Sequence, residues 1–253
     1  MKITFLGTGT SQGIPVIGCE CEVCRSSDFR DKRLRVSVLF EVNGKKIVVD
    51  TGPDFRQQML RERISKIDAV LFTHEHKDHT AGLDDIRPFN QKHNMDMPVY
   101  GRQSVLDQLK QEFAYIFENH TYPGVPRVFI HPIENKPFMI EGIKVIPIEV
   151  MHHKLPVFGF RIGDISYITD ANFISESEKE KIKGSKIVVL NALQKSSHLS
   201  HFTLTQAIEL AQELKAEKTY FTHMSHTLGK HDTINKELPN GIELAYDGLT
   251  IIV

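Results

Sequence analysis

The stretch "FTHEHKDH" constrains the fold more than any other part of the 253-residue sequence. Directly after the apolar run "AVLF" it places four potential metal ligands within six positions, namely His74, His76, Asp78 and His79. Where a buried strand ends and the chain turns into a helix, such side chains converge on one point. Neutral imidazoles beside a carboxylate suit divalent metal ions. We therefore predict a metal site at a strand end, in preference to a solvated turn that is merely rich in histidine.

Composition and charge narrow the class of protein. Hydrophobic residues make up 40% of the sequence, enough for a substantial core, and the formal net charge is −1. A charge this close to zero argues weakly against nucleic acid as a partner, because a local basic groove would not show in the total. Glycine interrupts the apolar start "MKITFLGTGT", and no apolar run reaches the ~18 residues of a transmembrane helix. The expectation is a cytoplasmic protein with no membrane partner.

Two β-rich halves, each followed by helical patterns, predict two sheets packed face to face with helices outside. No linker divides the chain, so residues 1–253 are expected to form one domain. The stretch "QSVLDQLKQEFAYIF" has apolar residues at helical spacing and predicts one helix. Thr203 and Gln206 fit a capping box that opens the penultimate helix. Residues 117–126, "FENHTYPGVP", predict a loop, either on the surface or over the substrate.

The motif HxHxDH, preceded by "FLGTGT" and "VVDTG", resembles the metallo-β-lactamase fold superfamily over nearly the whole chain. The resemblance implies an α/β fold, a four-layer αββα sandwich of two mixed sheets, with two divalent ions (zinc or manganese) at its active site. It also implies a ligand histidine after the mid-chain strand pair, where "EVMHHKLPVFGF" offers His152 or His153. Alternation from Ile148 and Val150 favours His152.

The resemblance further implies how the ligands divide between the two ions. The two sets are His74, His76 and His152 for one ion, and Asp78, His79 and His223 for the other. Asp170, in "ISYITDAN", is expected to bridge the ions. Asp50, in "VVDTG", occupies the place of a carboxylate that orients a ligand histidine. A helix or turn cap is the alternative role for Asp50.

All three cysteines lie in "GCECEVC", as Cys19, Cys21 and Cys24. Three thiols are the wrong number for disulfides and one ligand short of a tetrahedral metal site. With "GTGTSQGIPVIG" and "THMSH", this run resembles the PhnP-type cyclic phosphodiesterases of bacterial phosphonate breakdown. That resemblance implies a closed structural zinc site with His226 as the fourth ligand. Three buried thiols without metal are the alternative.

The same resemblance implies a metal-dependent phosphodiesterase that acts on small, cyclic or nucleotide-like phosphodiesters. Two divalent ions supply hydroxide near neutral pH because metal binding lowers the pKa of water to ~7. Asp78 and His201 are the predicted catalytic residues. His201, in "SSHLSHFTL", aligns with a histidine that protonates the leaving oxygen or holds a phosphate oxygen, and it is preferred to His198. His76 stands where the resembling di-iron proteins have glutamate, which favours hydrolysis over redox chemistry.

Three other functions fit parts of this pattern. The tRNA 3′-processing endonucleases share "FLGTG" and HxHxDH, but they usually carry a long Gly/Pro-rich arm that this sequence does not show. The PQQ-biosynthesis protein B group also pairs the fold with an N-terminal cysteine cluster. A zinc-stabilised binding module without catalysis would be expected to lose ligands, whereas here the set is complete. The sequence fixes neither the natural substrate nor the oligomeric state, and a homodimer is compatible with it.

Overall fold

The computed structural model describes residues 1–118 and 124–253, and most of its elements are strands. The strands are β1 (Lys2–Gly7), β2 (Ser37–Val42), β3 (Lys45–Val49), β4 (Ala69–Leu71), β5 (Met97–Gly101), β6 (Val128–Pro132), β7 (Phe138–Ile140), β8 (Ile143–His152), β9 (Leu155–Ile162), β10 (Ile165–Tyr167), β11 (Ile187–Asn191), β12 (Lys218–Thr222), β13 (Ile242–Leu244) and β14 (Thr250–Ile252). The helices are α1 (Phe55–Arg61), α2 (Lys77–Thr80), α3 (Arg87–His93), α4 (Gln103–Glu112), α5 (Ala114–Phe117), α6 (Glu176–Ile182), α7 (Leu204–Leu214) and α8 (His231–Glu237). Single 3₁₀ turns are formed by Phe29–Asp31 and Leu83–Ile86.

The strands form two mixed sheets of seven strands each. The first has the order β14-β1-β2-β3-β4-β5-β6 and the second β7-β8-β9-β10-β11-β12-β13. Read in this direction, each sheet has three antiparallel pairings followed by three parallel ones. The strand β3 in the first sheet therefore corresponds to β10 in the second. The two halves of the chain repeat one pattern of strand directions.

Alternating side chains place apolar residues on both faces of each sheet. Along β2, Phe40 packs in the cluster between the sheets, whereas the adjacent Leu39 packs against the helices that cover the first sheet. Tyr167 and Phe160 of the second sheet meet Phe40 in the central cluster. A third cluster packs α6, α7 and α8 on the outer face of the second sheet. The predicted four-layer αββα sandwich is confirmed.

Of the local predictions made from the sequence, one is confirmed, one is wrong, and one falls largely outside the described residues. The capping box at α7 is confirmed, since Thr203 Oγ1 accepts from Gln206 N at 3.2 Å and Gln206 Oε1 accepts from Thr203 N at 3.0 Å. The single helix expected over "QSVLDQLKQEFAYIF" is wrong, because the structure divides it at Phe113 (φ −115°, ψ 41°) into α4 and α5. The short α5 has no buried side chain, so packing does not continue the helix. The predicted 117–126 loop has its centre, residues 119–123, outside the described residues.

None of the helices in the described part of the chain has the length and apolarity to cross a bilayer.

Candidate metal centres

The candidate site lies where several strands of both sheets end. His74 follows β4, Asp170 follows β10, and His223 directly follows β12. Asp170 and His223 have left-handed backbones, with φ of 53° and 55°, and so does Asp50 after β3, with φ of 66°. Such conformations are uncommon for non-glycine residues and concentrate at functional sites. Each one turns the chain sharply at the strand end, so that the following segment leaves the sheet and the polar side chain stays at its edge.

The first group of ligands consists of His74, His76 and His152, whose ligand atoms all lie within 4.8 Å of one another. His74 Nε2 is 3.0 Å from His76 Nδ1. His152 Nδ1 donates to the carbonyl oxygen of Ser200 at 2.9 Å, which leaves its Nε2 unprotonated. The neighbouring His153 is exposed and belongs to no ligand group found among the described residues. The structure thus brings His152, and not His153, into the site.

Burial favours metal binding by two histidines of the first group, His74 and His152. Burial, followed by the charge of His79, lowers the pKa of His74 well below its usual value. Burial also lowers the pKa of His152. Imidazoles that stay neutral near pH 7 keep a lone pair free, and that lone pair is what a metal ion requires.

The second group consists of Asp78, His79, Asp170 and His223, again with ligand atoms within 4.8 Å of one another. Asp170 Oδ1 is 3.4 Å from His79 Nε2, and Asp170 Oδ2 is 3.2 Å from His223 Nε2. Asp78 Oδ2 is 3.3 Å from His79 Nε2 and 3.9 Å from His223 Nε2. The two imidazole nitrogens therefore face the two carboxylates across one small space.

Two orphaned atoms show that a cation fits this space. His79 Nε2 and His223 Nε2 are buried and have no hydrogen-bond partner among the described residues. An unsatisfied buried polar atom costs about 1–3 kcal/mol, so native structures rarely keep one without a reason. A divalent ion bound to both nitrogens and to the facing carboxylates accounts for both atoms at once, and imidazole with carboxylate is a donor set typical of zinc and manganese.

The charges around His79 also indicate that a divalent cation fits this space. Burial alone would lower the pKa of His79, but Asp170, Asp78 and Asp50 raise it well above its usual value. Three carboxylates around one buried imidazole leave an excess of negative charge. A divalent cation offsets that charge without a proton.

Asp170 lies between the two groups. Its Oδ2 atom is 3.2 Å from His223 Nε2 of the second group and 3.9 Å from His74 Nε2 of the first. Burial opposes ionisation of this carboxyl, but His223 and His79 hold its pKa well below the usual range. An ionised carboxylate at this position can serve both groups, which is the geometry that a bridging ligand needs.

Asp50 contacts His79 from behind the site. Its Oδ2 atom accepts from His79 Nδ1 at 2.7 Å and from Thr73 Oγ1 at 2.8 Å, while Oδ1 accepts from the Thr73 amide at 2.9 Å. Because Nδ1 of His79 donates to Asp50, Nε2 is the nitrogen that remains for a metal ion, and it lies 3.3 Å from Asp78 Oδ2 and 3.4 Å from Asp170 Oδ1. The orienting role fits these contacts better than a helix cap, since α1 begins after Asp54.

His201 forms the wall of the site next to Asp170. Its ring stacks on His223, with 4.6 Å between centroids, and its Nε2 atom is 4.0 Å from Asp170 Oδ2. Burial, followed by the charge of His223, lowers the pKa of His201 to about 3. His198 is exposed, with its ring centroid 5.1 Å from that of His201. The structure therefore brings His201 into the site and leaves His198 at its rim.

The cysteine cluster forms a separate centre with His226. The Nδ1 atom of His226 is 3.3 Å from the sulfurs of Cys19 and Cys21 and 3.7 Å from that of Cys24. Tetrahedral zinc, with bonds of about 2.3 Å to sulfur and about 2.0–2.1 Å to nitrogen, places such atoms about 3.6 Å apart. The Cys24 amide donates to Cys21 Sγ at 3.4 Å. That amide, with His226, lowers the pKa of the Cys21 thiol to about 6, whereas burial raises the pKa of Cys24 to about 11.

Backbone pairing explains how His223 and His226 reach different centres. Met224 N donates to Thr8 O at 2.9 Å, and Thr10 N donates to Met224 O at 3.1 Å. These bonds fix the segment against the N-terminal loop immediately after His223. The chain then turns, and His226 lies over the cysteines that the same loop carries.

The sequence did not identify the groups that hold the ligands in place. These are the hydroxyls of Thr73 and Thr169 and the carbonyl of Ser200. The available signal was the repeated threonine before a ligand in "FTH", "ITD" and "FTH". A threonine at the end of a strand has an ordinary packing explanation, which is why the pattern alone did not predict the contact.

Fold and site together define a metallo-hydrolase. The family model of the β-lactamase superfamily domain matches residues 45–224, and the chain belongs to that family. Within this superfamily the chain is similar to a diphosphatase of the PhnP family. The crystal structure of that diphosphatase is 42% identical in sequence, covers 100% of this chain and 97% of its own, and has a TM-score of 0.94.

Two further relatives show how widely the fold is used. An octanoyltransferase of Porphyromonas gingivalis is 39% identical over 100% of this chain and 52% of its own length. The chain thus spans about half the length of that relative. The zinc-bound PqqB of Methylobacterium extorquens covers 100% of both chains with a TM-score of 0.82, but at 18% identity it shows the shared fold alone.

Proposed function

We propose that the protein is a metal-dependent phosphodiesterase for small substrates, cyclic phosphates among them. The observation that carries this proposal is the pair of adjacent ligand groups with Asp170 between them. The similarity to a PhnP-family diphosphatase extends the proposed substrates to diphosphates. We include those with esterified ends, because each of their phosphorus atoms, like that of a diester, is joined to two further groups through oxygen. Both substrates would undergo the same attack on phosphorus. The leaving group is an alcohol oxygen in the ester and a phosphate oxygen in the anhydride.

In this proposal His74, His76 and His152 would hold the first ion, and Asp78, His79 and His223 would hold the second, while Asp170 would serve both. When bound, two divalent ions (zinc or manganese) lower the pKa of water towards 7 and neutralise phosphate charge. The residues of the chain keep the ligands in their required state. Asp50 holds the proton on His79 Nδ1, and the Ser200 carbonyl holds the proton on His152 Nδ1.

His201 is proposed to act on the substrate directly. It is buried beside the shared carboxylate, and its Nδ1 atom has no partner among the residues that the structure describes. A free, buried imidazole at the edge of the site can donate a hydrogen bond to a phosphate oxygen. It can deliver a proton to the leaving oxygen only once it is protonated, which the negative charge of a bound phosphate favours. This proton matters most when the leaving group is a poor one.

The proposed function is tested with metal-replete protein on a matched panel of substrates. The panel contains bis(p-nitrophenyl) phosphate, a 2′,3′-cyclic nucleotide, a dinucleoside diphosphate, p-nitrophenyl phosphate and a precursor tRNA. We expect turnover of one or more of the first three and little of the monoester. Its leaving group is the same p-nitrophenolate as in the aryl diester, but its additional negative charge opposes attack by hydroxide. Efficient cleavage of the tRNA alone would establish the endonuclease function instead. Activity on none of them, with ions bound, would favour a binding module.

The leaving-group dependence of His201→Ala separates its two roles. If His201 delivers a proton, the variant should lose about 10²-fold or more on an alkyl or nucleoside leaving group and far less on p-nitrophenolate. Turnover numbers on the two kinds of diester give the comparison. Equal losses on both substrates would remove His201 from the acid role and leave it a phosphate-binding residue. His198→Ala is the matched control and should retain activity on both.

A further inference from the structure

The side chain of Asp170 is held by the residue that precedes it. Thr169 Oγ1 donates to Asp170 Oδ1 at 2.7 Å, and both residues are buried, at 0% and 2% exposure. With Oδ1 held in this way, Oδ2 is the atom that faces His223 Nε2 at 3.2 Å and His74 Nε2 at 3.9 Å. The hydroxyl of Thr169 therefore selects which carboxylate oxygen lies between the two ligand groups.

The backbone at this point is fixed by a different residue. Asn191 Oδ1 accepts from Ala171 N at 2.8 Å, and Asn191 Nδ2 donates to Ala171 O at 2.9 Å. Asn191 is fully buried at the end of β11. The main chain after Asp170 is thus anchored without Thr169. What remains free is the rotation of the carboxylate about its side-chain bonds, which is broad for aspartate unless a neighbour restricts it.

We propose that Thr169 is a positioning residue for the carboxylate that the two metal ions share. This inference rests on the proposed function, because it takes Asp170 as a ligand. A hydrogen bond to an ionised carboxylate is short and about twice as strong as a neutral one. Loss of the partner that holds a metal ligand typically costs about 10–100-fold in metal affinity. Thr169 is therefore expected to act on metal affinity first and on turnover through it.

The chain offers a matched control in Thr222. It is also fully buried, it also ends a strand directly before a proposed ligand, His223, and its Oγ1 atom has no hydrogen-bond partner among the described residues. Thr→Val keeps the shape of the side chain and removes only the hydroxyl. The main difference between the same substitution at the two positions is therefore whether a bond to a ligand carboxylate is lost, since among the described residues the Thr169 hydroxyl otherwise contacts only the buried Tyr167 hydroxyl.

The experiment measures ion binding to protein stripped of its active-site metal, by zinc competition with a chromophoric chelator, without reference to activity. We expect Thr169→Val to bind the active-site ions about 10–100-fold more weakly, Thr169→Ser to restore most of the affinity, and Thr222→Val to match the unmodified protein. The melting temperature of the stripped proteins is recorded as a control. Zinc retained by Cys19, Cys21, Cys24 and His226 provides an internal reference for each preparation.

The outcomes separate this inference from the function on which it rests. If the unmodified protein binds ions at the histidine–carboxylate site and Thr169→Val binds them equally well, the positioning role is wrong and the proposed function stands. If the unmodified protein binds no ions there under any supplement, the proposed function fails and the inference with it. Should Thr169→Val not fold, Thr169→Ser and Thr169→Ala give the same comparison, and equal affinity of these two overturns the inference.

Discussion

At the scale of single residues, two histidines of the site are each held by a hydrogen bond at one ring nitrogen. His79 is bound by Asp50 at one nitrogen and faces the ligand space with the other, and His152 is bound by the Ser200 carbonyl in the same way. Each hydrogen bond fixes the tautomer and the side-chain rotamer of its histidine before a metal ion binds, so less conformational entropy is lost on binding. The site is preorganised by hydrogen bonds that never touch the substrate.

His223 and His226 provide the sharpest test of the two separate centres. His223→Ala should lower turnover by orders of magnitude and leave zinc at the cysteines and most of the stability in place. His226→Ala should first lose that zinc and lower the melting temperature, because structural zinc stabilises the folded state. Metal content, melting temperature and turnover on one diester are measured for both. If both variants lose the same metal, the division between the centres is wrong.

His231 gives the protein a pH dependence that is independent of the active site. It is buried and accepts from Arg33 at 3.0 Å; burial and then the charge of Arg33 lower its pKa to about 4. In the unfolded chain its pKa is about 6.5, so between pH 6.5 and 4 the unfolded state binds the extra proton. Its contribution to stability is therefore complete above pH 6.5 and is lost as the pH falls towards 4.

The measurement is urea unfolding of the protein and of His231→Gln across pH 4–7. The free energy of unfolding should fall as the pH is lowered, with a slope from this residue of at most about 1.4 kcal/mol per pH unit. Because glutamine does not titrate, the difference between the two proteins should shrink over the same window. A difference that stays constant with pH would contradict the assignment to His231.

At the scale of elements, two glycines let the loop after β3 pass against α2. A Cβ atom on Gly52 would lie 2.2 Å from the carbonyl oxygen of Asp78, and one on Gly82 would lie 2.2 Å from the carbonyl oxygen of Gly52. Both distances are shorter than any real contact and both involve backbone. The turn that carries Asp78 and His79 can therefore sit under the loop of Asp50 only if these positions have no side chain.

Gly52→Ala is accordingly predicted to displace α2 and to weaken binding of the active-site ions by at least about 10-fold. Gly44→Ala is the matched control: nothing lies within 4 Å of its Cβ position, but its φ of 76° is unfavourable for alanine. It should cost about 1–2 kcal/mol of stability without loss of ion binding or turnover. Equal ion binding by the two variants would show that α2 tolerates the displacement.

Much of the site could be predicted from the sequence, because strand ends, motif spacing and ligand chemistry are local properties. The cluster of His74, His76, Asp78 and His79 follows from that logic. The resemblance to the metallo-β-lactamase superfamily implied the remaining ligands His152, Asp170 and His223, and the structure brings all of these residues together. What the sequence could not give depends on contacts between distant segments. The bond from Thr169 to Asp170 and the break at Phe113 are decided by packing and by rotamers, and neither leaves a distinct pattern in the order of residues.

At the scale of the whole molecule, the cysteine centre joins the two ends of the chain. Cys19 and His226 are separated by 207 positions, and the first precedes β2 while the second follows β12. A link that closes so long a loop restricts the unfolded chain, and by this entropic account long loops gain the most. A metal ion bound there would thereby hold together the N-terminal loop and the segment around His223.

Cys21→Ser should therefore lose one equivalent of zinc and unfold at a lower temperature. In a chain of this size each kcal/mol lowers the melting temperature by about 2–4 °C, so a loss of several kcal/mol is readily measured. Turnover well below the new melting temperature should be largely retained. Ser27→Ala, an exposed neighbour, is the control and should change neither quantity. Unchanged zinc content and melting in Cys21→Ser would rule out the structural role.

The repetition of strand directions in the two sheets has a consequence for how metal binding and unfolding are linked. Asp50 and Asp170 follow corresponding strands, β3 and β10, and both have left-handed backbones. The four ligands of "HEHKDH" come from the first half of the chain, whereas His152, Asp170 and His223 come from the second. Ions at the proposed site would thus be held between the halves as a ligand is held between the subunits of a dimer. Separation of the halves would divide the ligand set, so bound ions would oppose that separation and stabilise the folded sandwich.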